Sequence, residues 1–137
     1  MTEPAAAAGV FSIPVRVYWE DTDAGGVVYY AHYLRFLERA RTEWLRSRGF
    51  SQQSLSTEQG IQFMVLGVAI EYRAPARLDD LLRVTCVPQV ESRTSARFVQ
   101  QVHRESPQAG LLVEASVRVV CVDARTLRPR RLAEYLP

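Results

Sequence analysis

The segment Glu20-Asp21-Thr22-Asp23-Ala24-Gly25-Gly26 sets two carboxylates two residues apart and follows them with paired glycines. A carboxylate in such a loop can attack a carbonyl carbon or take the proton of an attacking water. Gly25 and Gly26 lack a Cβ and so permit close approach of another group. A helix opens shortly afterwards, and the backbone N–H groups of a first helical turn have no intrahelical partner and carry partial positive charge. A carbonyl placed there becomes more electrophilic, and a developing oxyanion is stabilised. Removing one such donor from a working oxyanion hole costs about 3 kcal/mol in barrier height. The combination suits acyl transfer. The residues alone also fit a capping Asp-Thr pair followed by a plain glycine turn.

Other chemistries find less support. All 17 basic residues are arginine, which excludes a catalytic lysine, a Schiff base and a P-loop lysine. Cys86 and Cys121 lie in separate apolar, strand-like runs with no CxxC or Cys/His cluster, so zinc and redox-motif chemistry are not expected. The net charge is only +2, with both signs interspersed, and this gives little basis for nucleic-acid binding. Local arginines can still hold a phosphorylated small molecule, because the guanidinium fork matches phosphate oxygens. No apolar run approaches the ~20 residues that span a bilayer. The first nine residues, Met1 to Gly9, lack the basic and apolar regions of a signal peptide and read as a frayed tail. A cytoplasmic address is therefore expected.

The elements that must position the loop follow from periodicity. Pro14 to Trp19 has the β-branched and aromatic content of a strand, with Val15 and Val17 on one face. From about Tyr30 the period lengthens. Tyr33, Leu34, Leu37, Ala40, Arg41, Trp44 and Leu45 recur at three- and four-residue steps and predict an amphipathic helix that stops at Gly49. Ser51 to Gly60 is polar and predicts a short helical turn or a loop. Alternation then dominates: Met64, Leu66, Val68, Ile70 and Tyr72; Leu82, Val84 and Cys86; Ala96, Phe98, Gln100 and Val102; and Leu111 through Cys121. Turn signals at Ala76–Asp80, Glu91–Thr94 and Ser106–Gly110 separate these runs. One long helix and about five strands without intervening helices exclude a doubly wound parallel sheet. The expected fold is α+β, an antiparallel sheet wrapped around a single helix, with residues 1–12 a flexible tail and 13–137 one domain. One sheet face would stay partly uncovered, which favours a second subunit.

The run PVRVYWEDTDAGGVVYYAHYLRFLERARTEWL closely resembles the 4-hydroxybenzoyl-CoA thioesterase family of hotdog proteins, and within it the branch found with the bacterial Tol–Pal envelope system. The likeness continues through EYRAPARLDDLL and VRVVCVD and covers nearly the whole chain after residue 13. The resemblance implies hydrolysis of an acyl-CoA thioester to free acid and coenzyme A, without metal or redox cofactor, in a homodimer or homotetramer. It makes Asp23 the catalytic carboxylate, as nucleophile or general base. Gly26 matches the glycine that lets the acyl group approach, and Tyr30 matches the position whose backbone N–H polarises the carbonyl. The nearest branch usually carries histidine at position 30, so this chain departs from it there. His32 would sit about 200° around a helix from that position and does not simply replace it. Asp21 is a secondary candidate, as a catalytic or loop-shaping carboxylate. Arg93, then Ser95, resemble the basic turn that meets the nucleotide of coenzyme A. Acyl carrier protein is a further possible acyl donor. The alternative expectation is a module that binds acyl-CoA or acyl carrier protein at the cell envelope with little catalysis.

Overall fold

A computed structural model describes residues 9–132. Strand β1 (Phe11–Arg16) leads into the loop, and helix α1 (Tyr33–Ser47) follows it. Strands β2 (Ile61–Tyr72), β3 (Leu81–Val90), β4 (Ser95–Ser106) and β5 (Gly110–Asp123) complete one antiparallel sheet in the order β1-β3-β4-β5-β2. Between α1 and β2, the polar segment forms short helical turns over Gln52–Ser54 and Leu55–Gln59.

The alternation read from the sequence supplies the helix-facing side of the sheet. Val15, Leu82, Val84, Cys86, Ala96, Phe98, Val102, Val113, Ala115, Val117, Val119 and Cys121 are all buried. Helix α1 lies on this side and buries Tyr33, Phe36, Leu37, Ala40, Trp44 and Leu45. Trp44 meets Phe98 of β4 at 5.7 Å between ring centroids. Beyond α1, Gly49 adopts a φ of 92°, the left-handed conformation in which helices commonly end and for which glycine carries no Cβ penalty.

Three expectations are corrected. The first strand runs from Phe11 to Arg16 rather than from Pro14 to Trp19, so Phe11 and Ser12 belong to the sheet and not to a tail. Residues 1–8 of that tail lie outside the described residues. Trp19–Asp21 instead forms a 3-10 turn, because the Asp21 carboxylate accepts the Tyr18 N–H and closes it. On the helix, Phe36 is fully buried while Leu34 is 43% exposed. Phe36 lies three residues from Tyr33 and four from Ala40, on the face that meets the sheet. In β2 the pairing shifts between Val65 and Gly67, leaving Leu66 as a bulge. Met64 and Val68 therefore pair on opposite sides of the sheet, opposite Val120 and Val117 respectively.

Cys86 and Cys121 are free and buried. Burial pushes the Cys86 thiol up to about 12 and the Cys121 thiol up to about 11. Neither presents a thiolate at neutral pH, so neither is a nucleophile for acyl transfer.

Candidate active site

β1 ends at Arg16 and the chain crosses to the head of β3, where the Val17 N–H donates to the Asp80 carbonyl at 2.9 Å. There the loop folds into a small hairpin. Thr22 pairs with Val28, and the Asp23 N–H donates to the Val27 carbonyl at 2.9 Å. The Gly26 N–H donates to the Asp23 carbonyl at 3.0 Å. Gly26 has a φ of 78° with open space where a Cβ would be. The left-handed backbone, rather than crowding, is what requires glycine here.

Asp23 sits exposed at this tip. Its Oδ1 accepts the Gly25 N–H at 2.8 Å, the local turn that aspartate often makes. One carboxylate oxygen thus orients the group and Oδ2 remains available for chemistry. A cavity of about 430 Å³ opens beside it, lined by Trp19, Thr22, Asp23, Ala24, Gly26 and Leu78. Trp19 is 80% exposed on its rim. A Cβ on Gly25 would lie 3.2 Å from Asp23 Oδ1, a contact that moves the carboxylate without straining the backbone. Misplacing a reacting group by about 1 Å can cost a hundredfold in rate. Gly25→Ala is therefore expected to lower kcat by ~10–100-fold with little change in Tm, read by steady-state kinetics beside thermal unfolding.

The returning arm of the hairpin leads to a second turn, Tyr30–His32, that precedes α1. The Tyr29 carbonyl accepts the His32 N–H at 2.8 Å. Tyr29 C=O and Tyr30 N–H share one planar peptide unit and point in opposite directions. This hydrogen bond therefore aims the Tyr30 N–H away from the turn and ahead of the helix, where amides lack intrahelical acceptors. The Tyr72 hydroxyl donates to the Tyr30 carbonyl at 3.0 Å, tying β2 to the same turn. Rings of Tyr30 and Tyr33 flank Tyr72 at 6.3 and 5.6 Å. Together with Val28, Ala74 and Pro75 they line a cavity of about 280 Å³. Burial, then the neighbouring Tyr30, raises the pKa of Tyr72, so its hydroxyl stays protonated and donating.

Asp21 does not join Asp23 in the cavity. It is 4% exposed, with Oδ2 accepting the Tyr18 N–H at 2.8 Å and Oδ1 3.3 Å from His32 Nε2. His32, unassigned from the sequence, thus meets the first carboxylate of the loop. Nothing in the spacing of Asp21 and His32 announces that contact, because a hairpin intervenes. Tyr72 and Trp19 were equally hidden as neighbours of the site.

Arg93 and Ser95 lie at the opposite end of the sheet. β3 starts beside the loop at Leu81 and ends at Val90, about 30 Å away at roughly 3.3 Å per residue. Arg93 is exposed, and Ser95 Oγ lies 2.6 Å from Ser92 Oγ within the turn. Within one chain the fold does not bring them to Asp23. Among the described residues, no group of three or more His, Cys, Asp and Glu side chains is gathered as for a metal.

A long helix wrapped by a five-strand antiparallel sheet is the frame of hotdog thioesterases. The sequence pattern of the thioesterase-like superfamily matches residues 17–136. The chain is 50% identical over 127 residues to the acyl-CoA thioester hydrolase YbgC of Escherichia coli O6:H1, covering 93% of this chain and 92% of that one. It is 52% identical over 120 residues to the acyl-CoA thioesterase YbgC of Haemophilus influenzae, covering 87% and 85%. Among solved structures, a 1,4-dihydroxy-2-naphthoyl-CoA thioesterase from Synechocystis superposes with a TM-score of 0.83 at 27% identity over 90% of each chain. The 4-hydroxybenzoyl-CoA thioesterase of a Pseudomonas species shares the fold with a TM-score of 0.85 at 24% identity, over 93% and 97%. The chain belongs to the thioesterase-like superfamily and has the hotdog fold.

Proposed function

We propose that the chain hydrolyses acyl-CoA thioesters to the free acid and coenzyme A, with Asp23 supplying the carboxylate and the Tyr30 amide polarising the carbonyl. The observation that carries this reading is the hairpin itself. It exposes Asp23 with one oxygen held and the other free, then returns the chain to a turn whose leading N–H is aimed outward. The tyrosine at position 30 does not disturb the scheme, since the backbone supplies the donor whatever the side chain. Gly26 keeps the tip open for the acyl group. The relatives named as acyl-CoA thioester hydrolases support the substrate class.

The substrate's nucleotide end is assigned to Arg93 and Ser95, and their distance from Asp23 in one chain makes a second copy part of the reading. β2 supports this. It is a sheet edge of 12 residues with Met64, Val65, Leu66 and Val68 all 40–53% exposed. A long apolar edge of this kind is usually paired or covered. A homodimer or homotetramer is expected, and light scattering should return at least twice the 15.5 kDa chain mass. A monomer at assay concentration would remove this part. Coenzyme A chemistry and two unpaired thiols fit a cytoplasmic setting, near the Tol–Pal envelope system. Acyl carrier protein, which presents acyl groups on the same kind of thioester, is an alternative donor.

Thiol release over acyl-CoAs of graded chain length, aliphatic and aromatic, tests the reaction. Turnover on at least one member is expected. Binding without turnover across the whole panel would replace the enzyme by an acyl-CoA or acyl-carrier-binding module.

A further inference from the structure

Asp21 is the most heavily engaged residue of the loop, although it stands two residues from the carboxylate assigned to the chemistry. Its Oδ2 takes the Tyr18 N–H at 2.8 Å, at the start of the loop. Its main-chain carbonyl takes the Tyr29 N–H at 2.9 Å, at the end of the hairpin. Its Oδ1 lies 3.3 Å from His32 Nε2, at the entrance to α1. A carboxylate 4% exposed and committed on both oxygens is poorly placed to reach a substrate.

We propose that Asp21 and His32 are a positioning pair that fixes the Tyr29–Tyr30 peptide plane, and with it the direction of the Tyr30 N–H. The mechanics follow from two backbone hydrogen bonds and one side-chain contact. The Tyr29 carbonyl is held by the His32 N–H, so the orientation of that peptide follows the position of the His32 backbone. The His32 side chain is anchored to Asp21, and its ring packs edge-on to Phe36 with centroids 6.3 Å apart. The Tyr29 N–H is itself bound to the Asp21 carbonyl, so both sides of Tyr29 end on the pair. Releasing His32 frees the turn to rotate while Tyr72 still holds only the Tyr30 carbonyl. An amide that swings away from a developing oxyanion loses transition-state stabilisation and leaves ground-state binding largely untouched.

The inference rests on the acyl-CoA hydrolysis proposed above. Its test compares kcat and KM of wild type, His32→Ala, His32→Gln, Asp21→Asn and the Asp21→Asn/His32→Ala double variant, with Tm measured for each. The chosen substrate is an acyl-CoA that the wild type turns over. His32→Ala keeps the Asp21 cap on Tyr18 and is the variant that should fold normally. It is expected to lower kcat about tenfold, part of the 10²–10³ seen when an oxyanion donor is lost outright, with KM within about twofold. His32→Gln can place a donor near the position of Nε2 and should recover most of the loss. The double variant should be no slower than the worse single one, because both break the same link.

A folded His32→Ala protein with wild-type kcat would overturn the pair, as would losses that multiply in the double variant or fall on KM alone. Failure of the underlying reading looks different: no thiol release in the wild type, or hydrolysis unaffected by Asp23→Asn.

Discussion

Asp23→Asn is expected to lower thioester hydrolysis by ~10²–10⁴-fold, the usual contribution of a positioned acid–base group, while leaving the fold intact. The amide oxygen can still accept the Gly25 N–H that Asp23 Oδ1 now takes at 2.8 Å. The Gly26 and Val27 backbone bonds that close the tip do not involve the side chain at all. What the substitution removes is the negative charge and basicity of the free oxygen. Nucleophilic and general-base mechanisms both need these, so the variant does not have to distinguish them to be decisive. Residual activity should persist if, as proposed, the Tyr30 amide polarises the carbonyl, since donors elsewhere sustain hydrolysis without a triad. Asp23→Ala should match it in rate but lose the turn acceptor altogether, at about 1 kcal/mol for an exposed bond. Thiol release measured for both, beside wild type, checks the prediction. A folded Asp23→Asn protein that turns over normally would end the mechanism.

The strands and the helix could be read from the chain because burial there follows period two and period 3.6. Val113 through Cys121 alternates without interruption, and every second residue is buried. Legibility failed where one residue breaks the period. Leu66 looks like the next member of an alternating face, yet the bulge beside Gly67 removes it, and a bulge leaves no mark on hydrophobicity. Leu34 and Phe36 are both apolar, and only the orientation of α1 against the sheet separates the exposed one from the buried one. In the loop, the extended family pattern singles out Asp23, and its chemistry alone does not. The Asp21–His32 contact joins residues across a hairpin and obeys no period, so only coordinates reveal it. The separation of Arg93 from Asp23 is likewise a property of topology: β3 leaves the loop and carries Arg93 to the far end of the sheet.

Gln100→Leu is expected to destabilise the fold by on the order of 2–3 kcal/mol, although leucine fits the apolar stripe in which residue 100 sits. Gln100 is fully buried between helix and sheet. Its Nε2 donates to the Leu37 carbonyl of α1 at 3.0 Å and to the Thr85 carbonyl of β3 at 3.2 Å. Its Oε1 accepts Arg41 Nη1 at 3.1 Å. Arg41 is half-buried, and burial, offset in part by Cys86 and Glu38, lowers its pKa. Leucine would leave that charge without its acceptor and remove a donor from two carbonyls at once. The cost comes from stranded partners, not from lost volume, and this distinction is testable. Arg41→Met in the Gln100→Leu background removes the stranded charge and should recover at least half the loss, as apolar replacements of buried polar pairs often do. Urea unfolding with an unchanged m-value reads both steps as shifts in midpoint. A single variant within 1 kcal/mol of wild type would show that the knot is dispensable. Because Gln100 holds α1 to the sheet one turn beyond Tyr33, a loosened knot should also be felt at the helix entrance, beside the Tyr30 amide of the proposed site.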